Sequence, residues 1–307
     1  RSIFSSPEPS RLTKAPARTI FERHGPVRVA ASRTHLEHAD GTPFFWLADT
    51  GWNAALRASD DEFAHYLQVR AEQGFTAIQW VTTQWIAAPD GDSDGRLAYA
   101  GREQIQIDPA FFQRLDRRAA AINAAGLLSA PVMLWAATWV DPPSANSVNP
   151  GESLPVDQAI LLCRYMVARW GAYSVLWIIN GDGDYRGERA ERWRQIGRGV
   201  FGEGPHAPVT LHPAGTQIVL DEFAEEAWLD INGYQSGHWM GPEGTAWLYQ
   251  GPPTRDWRRA PQRPLINLEP PYEYHYNMGP KDGSRHTPHN VRQAMYSSLL
   301  LAPTAGV

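Results

Sequence analysis

Two carboxylates in this sequence each follow an apolar run. Asp182 comes after Val175-Leu176-Trp177-Ile178-Ile179 and Asn180-Gly181, and Glu269 comes after Leu265-Ile266-Asn267-Leu268. Cleavage of a glycosidic bond needs one acid to protonate the leaving oxygen and a base or nucleophile on the other face of the sugar. This pair has the residue types for both tasks, with Asp182 or Glu269 in either role on spacing alone. Asp184, in a Gly-Asp-Gly-Asp turn, and Glu273 are rivals. Asp182 and Glu269 are preferred because they lie closest to strand ends, where a site is held with little play. An acid/base carboxyl there should have its pKa raised by burial or by neighbouring negative charge.

Other residues recur at equivalent places. Asp49 and Gln79 are candidate partners for sugar hydroxyls, and Trp52 and Trp135 are candidate stacking faces. His212, Gln235, His238 and Tyr272 are further candidates for substrate contact. Thirteen tryptophans are many for 307 residues. A flat apolar ring beside polar groups suits a sugar, whose CH faces stack while its hydroxyls hydrogen-bond.

Metal chemistry has less support. His212, His238, His275 and His289 are scattered, with no H-x-H or H-E-x-x-H, so no metal and no cofactor is expected. Asp90-Gly91-Asp92-Ser93-Asp94-Gly95 imitates the start of a calcium loop, but the twelfth position is Gly101, where a bidentate glutamate is required. It reads as a solvated acidic turn within a long, pocket-shaping connection. Cys163 is the only cysteine, which excludes an internal disulfide and a thiolate cluster, and its apolar surroundings predict an inert buried thiol.

The elements that must position these residues alternate. Strands are predicted over Phe44–Asp49, Phe75–Val81, Leu127–Trp135, Ser174–Ile179, Pro208–Leu211, Trp228–Tyr234 and Pro264–Leu268. Helices begin at the Ser59/Glu62 capping box, at Asp108-Pro109, Pro155, Glu188 and Thr287-Pro288, with a helical turn near Asp221 to Glu226. The strands are short and apolar without alternation, as in a parallel sheet covered on both faces. The fold class is therefore α/β, a (β/α)8 TIM barrel with its eighth strand missing or cut short at Val307. A small N-terminal β-ribbon precedes it. Residues 1–20 read as a loose arm and 21–307 as one barrel domain. An open doubly wound sheet is the alternative, without a Gly-rich phosphate loop to support it. In such a barrel, active sites lie at the C-terminal strand ends, where the candidates above cluster.

The net charge of −5, from 28 basic and 33 acidic side chains, offers no attraction for nucleic acid or anionic membrane. No apolar run approaches the roughly 18 residues of a membrane span. An arginine at position 1 implies a removed leading segment: secretion or a periplasmic location if that was a signal, the cytoplasm otherwise.

The chain resembles the apiosidase-like TIM-barrel glycoside hydrolases from about Gly41 onward. The landmarks are Pro43-Phe44-Phe45-Trp46-Leu47-Ala48-Asp49-Thr50-Gly51-Trp52 and Gly74-Phe75-Thr76-Ala77-Ile78-Gln79. They continue with Trp177-Ile178-Ile179-Asn180-Gly181-Asp182, His212-Pro213-Ala214-Gly215, Gln235-Ser236-Gly237-His238 and Leu268-Glu269-Pro270-Pro271-Tyr272-Glu273. The resemblance implies Asp182 as acid/base, Glu269 as nucleophile, and action on plant cell-wall sugars. The family often has Gly-Gly-Asp where this chain has Asn180-Gly181-Asp182, and a small residue where it has Leu268. The expected function is exo-acting, retaining hydrolysis of a plant or microbial oligo- or polysaccharide. A catalytically silent carbohydrate-binding barrel and a metal-dependent hydrolase are the alternatives.

Overall fold

Short apolar runs separated by amphipathic stretches become a ring of parallel strands with helices outside it. The computed structural model describes residues 19–137, 148–239, 241–279, 282–301 and 304–307. The arm expected over residues 1–20 lies almost wholly outside these, as does Pro303, the predicted stop of the last helix. Ala48–Thr50, Ala77–Val81, Leu128–Trp135, Trp177–Gly181 and Val209–Thr210 pair in parallel, each with the next. Asn232–Gln235 and Leu265–Asn267 form a further parallel pair. The two sets join where the N–H groups of Asp230 and Ile231 bond to the Val209 carbonyl at 3.0 and 3.2 Å. The second, third and fourth strands are buried along their whole length, which accounts for their unalternating apolar sequence.

The eighth position, expected to be missing or cut short, is filled by residues 305–307. The N–H groups of Trp46 and Ala48 bond to the carbonyls of Ala305 and Val307 at 3.0 Å, and Val307 N–H returns to Trp46 at 2.9 Å. On the other side Ala305 N–H reaches the Leu265 carbonyl at 2.8 Å. Three residues suffice because a ladder partner stands ready on each flank, a condition no local sequence pattern reveals. Gly306 is required at this seam: a Cβ there would lie 1.8 Å from the Trp46 carbonyl oxygen, a backbone atom that cannot turn aside. Gly306→Ala is expected to cost at least about 1–3 kcal/mol, read as a lower urea midpoint. An unchanged midpoint would show that the seam does not hold the ring.

The predicted first strand is divided. Pro43–Phe44 completes an antiparallel ribbon with Val27–Val29 and Leu36–His38, whereas Ala48–Thr50 enters the ring. Val27, Leu36 and Phe44 carry the ribbon into the main core. Outside the ring, Asp60–Glu72 starts at the Ser59/Glu62 capping box, and Pro109–Ala124 starts at an Asp108 cap with Pro109 in its first turn. Phe111, Phe112, Leu115, Ala119 and Ile122 of the second helix are all buried, as their spacing requires. Val156–Trp170 and Arg189–Phe201 follow. Between the fifth and sixth strands the only helical element is the turn Asp221–Phe223, after a short strand Gln217–Ile218 that pairs antiparallel with the sixth; Pro242–Gln250 and Pro252–Asp256 follow the sixth, and Pro288–Leu300 the seventh. Of the last helix's predicted inward set, Ala294 and Ser298 are fully buried, while Val291, Met295 and Leu299 are half-buried. Cys163 is buried, and burial pushes its thiol pKa up, as expected of an inert group. Among the described residues no helix is long and apolar enough to cross a membrane.

Candidate active site

Strand four ends by passing its backbone under a tryptophan. A Cβ at Gly181 would meet the Trp135 ring at 2.4 Å, so only glycine lets strands three and four approach this closely. The next residue, Asp182, takes a left-handed conformation with φ 55°. Aspartate tolerates that region better than most residues, yet it costs about 1–3 kcal/mol. Strand five repays part of this: Asp182 N–H donates to His212 Nδ1 at 3.2 Å, and Gly183 N–H to the His212 carbonyl at 3.0 Å.

Glu269 is buried at the end of strand seven, its N–H directed at Asn267 Oδ1 and its carbonyl accepting from Gly237. Four side chains surround its carboxylate. Gln235 Nε2 donates to Oε2 at 2.7 Å, and His212 Nε2 lies 3.2 Å from the same oxygen. Tyr272 donates to Oε1, with His238 Nε2 at 3.3 Å. Trp52 Nε1 donates to the Tyr272 oxygen at 2.8 Å, so the tyrosine is itself held. Burial, and then the Glu269 charge, push the Tyr272 phenol far up, which keeps it a donor.

The two carboxylates face each other. An oxygen of each, and a His212 ring nitrogen, lie within 4.8 Å of one another. Asp182 keeps part of its surface exposed, yet desolvation and then the Glu269 charge push its pKa up to about 7, against a smaller opposing pull from His212, His238 and Gln235. For Glu269 burial acts upward too, but the hydrogen bonds from His212 and His238 outweigh it and hold the carboxyl below its usual range. Environment thus separates two like groups into an acid and an anion.

The rival acids are engaged elsewhere. Asp184 is paired with Arg186 and Arg189, and the Arg186 hydrogen bond holds its pKa down. Glu273 is exposed. Of the residues singled out in the sequence, Trp52, Trp135, His212, Gln235, His238 and Tyr272 surround the pair; Trp135 is buried against Trp52 and Trp85, with its ring 6.5 Å from His212. Asp49 is not brought there. Alternation along the first strand turns it outward to the first helix, where Tyr66 and Arg70 donate to it at 2.6 Å. Gln79 lies inside the ring, its amide nitrogen bonded to the Leu268 carbonyl at 2.8 Å, so half of its hydrogen-bonding capacity ties strand two to strand seven. The acidic turn also differs from its solvated reading. Asp92 is buried and accepts from the backbone of Asp94 and Arg96, with Arg114 at 3.7 Å, so its carboxylate serves the loop.

Two neighbours were not among the expected substrate contacts, His275 having been weighed only as a metal ligand. Trp85 stands 4.3 Å from Trp135 between ring centroids, held by a 2.7 Å bond to Asn53, and His275 stacks on His238 at 4.1 Å. Trp85 lies four residues beyond strand two, and its distance from the strand end hid it. His275 sits three residues beyond Tyr272, and only its position in the hairpin that follows gives it a meaning.

By distance alone Asp182, His212 and Glu269 could hold a metal ion, but their hydrogen-bonding states decide the fit. Asp182 N–H occupies His212 Nδ1 as acceptor, which puts the ring proton of the neutral imidazole on Nε2, toward Glu269. That nitrogen then has no lone pair for a cation, and both Glu269 oxygens already face hydrogen-bond donors. The residues do not fit a metal without rearrangement. Chelator treatment is expected to leave the rate within about twofold; loss of activity restored by a divalent ion would reverse this.

Comparison with known proteins agrees with the fold. The chain is similar to a glycoside hydrolase family 5 structure from Bacteroides vulgatus ATCC 8482, at 21% identity and TM-score 0.72, over 94% of this chain and 63% of that one. A structure described as a glycoside hydrolase gives 22% identity and TM-score 0.76 over 92% and 65% of the two chains. The chain therefore spans just under two thirds of the length of these relatives. The catalytic domain of Thermobifida fusca endoglucanase Cel5A in complex with cellotetraose matches at 14% identity and TM-score 0.54, over 91% and 84%. At such identities the likeness is one of fold. No curated protein sequence matches. Residues 30–307 match the family described as apiosidase-like, catalytic domain, which is most of the chain. The chain belongs to that family and is a glycoside hydrolase domain.

Proposed function

We propose that this domain hydrolyses a glycosidic bond by double displacement, releasing a terminal sugar from an oligo- or polysaccharide with retention of configuration. The observation that carries this is the facing pair: carboxylate oxygens within 4.8 Å, one pKa raised and the other lowered. Retaining enzymes hold their carboxyls about 5 Å apart, and inverting ones leave about 6.5–9.5 Å for a water.

In the first step ionised Glu269 attacks the anomeric carbon. The bond to the leaving oxygen breaks, and Asp182 gives that oxygen its proton. In the second step Asp182 takes a proton from water, the hydroxide replaces Glu269, and both acids return to their starting states. Tyr272, Gln235 and the two histidines hold the nucleophile still and set its charge. Buried polar atoms around the pair lack a protein partner: Gln79 Oε1, Trp135 Nε1, Gln235 Oε1 and His238 Nδ1. Such atoms are costly unless a ligand completes them, and sugar hydroxyls both donate and accept. A silent binding barrel would have no use for two acids of opposed pKa. The bound cellotetraose of the fold neighbour is consistent with an oligosaccharide as ligand.

The test is the first-formed product. Proton NMR at early time should show released sugar with the anomeric configuration of the substrate, and mass spectrometry with a slow fluoroglycoside should place the sugar on the Glu269 peptide. Initial release of the opposite anomer would overturn the proposal.

A further inference from the structure

The walls of the cup differ on its two sides. Among the described residues beside strands one to three, Trp85, Tyr99 and Trp135 are closed in, at 6%, 5% and 4% exposed, and Trp52 is half-buried. Beside strands six and seven, rings stand open to solvent. The chain leaving Glu269 enters a hairpin in which Tyr274 N–H bonds to the His286 carbonyl at 2.8 Å, His286 N–H to that of His275 at 2.9 Å, and Asn277 N–H to that of Ser284 at 2.9 Å. Tyr274 is 67% exposed and Tyr276 56%. Trp239, 41% exposed, leans on the same hairpin, close to Gly279. The hairpin is continuous with the reacting pair through stacked rings, since His275 lies on His238, and His238 reaches Glu269.

These rings are held in place. Arg285 sits over one face of Tyr276, 4.0 Å from its centroid, and also donates to the Tyr274 carbonyl. Tyr274 adopts φ 62°, a left-handed conformation unfavourable for an aromatic residue, with its backbone bonded on both sides. Exposed apolar area combined with maintained strain marks a surface used for contact. An aromatic face fixed at the rim of a sugar site suits further sugar rings.

We propose that Trp239, Tyr274 and Tyr276 bind the sugar residues on the leaving-group side of the cleaved bond, so that the substrate is a chain whose terminal sugar enters the cup while the remainder lies across this hairpin. The inference rests on the glycosidase reading and adds the direction and class of substrate to it. Among the described residues on the other side, Trp85 is bonded to Asn53 and buried, and so offers no open ring face.

The experiment uses the inactive Glu269→Gln protein, an array of short plant cell-wall oligosaccharides with their constituent monosaccharides, and calorimetry on the strongest oligosaccharide. Tyr276→Ala, Tyr274→Ala and Trp239→Ala in that background are expected to weaken the oligosaccharide by about tenfold and the monosaccharide by less than about twofold. Equal losses for both ligands, losses for neither, or failure of the parent to bind any array member would overturn the proposal. Hydrolysis by the wild type separates the two claims. Hairpin-dependent binding without sugar release would sink the glycosidase reading and leave this surface standing. Release with an unchanged KM in all three hairpin variants would do the reverse.

Discussion

Glu269→Gln is expected to lower kcat by on the order of 10⁴-fold or more while leaving the chain folded. The amide keeps the volume of the carboxyl, and its one carbonyl oxygen can still accept from Gln235 while its NH2 donates to the Tyr272 oxygen. It lacks the charge and the nucleophilic oxygen. The same substitution removes the neighbouring charge that contributes to the high pKa of Asp182, so that pKa should fall, readable by carboxyl NMR. The measurement is kcat on an oligosaccharide, with Tm as the check on folding. Activity within tenfold of wild type would take Glu269 out of the chemistry.

Asp182→Asn should cost about 10²–10⁴-fold in kcat, the usual contribution of a general acid. The loss should be smallest in the glycosylation step for aryl glycosides with acidic leaving groups, which need little protonation. Wild-type kcat/KM should fall as pH rises through about 7, where Asp182 loses its proton, and the variant should lack that limb. Stability gives an independent reading. The folded pKa lies above the unfolded one, so this contribution is full below about pH 4 and is lost as pH rises through about 7. Asparagine does not ionise and accepts φ 55°, so the variant should be the more stable protein at pH 8, by on the order of 1–2 kcal/mol after solvent screening, and not at pH 4. A pH-independent difference in Tm would show that Asp182 is not held protonated by its surroundings.

The sequence alone determined whatever is coded locally. Capping residues, the apolar stripe from Phe111 to Ile122 and the unalternating runs before Asp182 and Glu269 specify helices and covered parallel strands within a few residues of one another. The ends of those strands were legible for the same reason, and with them most of the residues found around the pair. Tertiary structure decided what depends on partners distant in the chain. Residues 305–307 become a strand only because strands one and seven stand on either side. Asp49, attractive at a strand end, faces a helix because a single step of alternation reverses a side chain, and Arg70 then captures it. The split between Asp182 and Glu269 has the same origin: burial and the Glu269 charge raise one carboxyl, His212 and His238 hold the other down, and these groups come from separate stretches of chain that meet only when the ring closes.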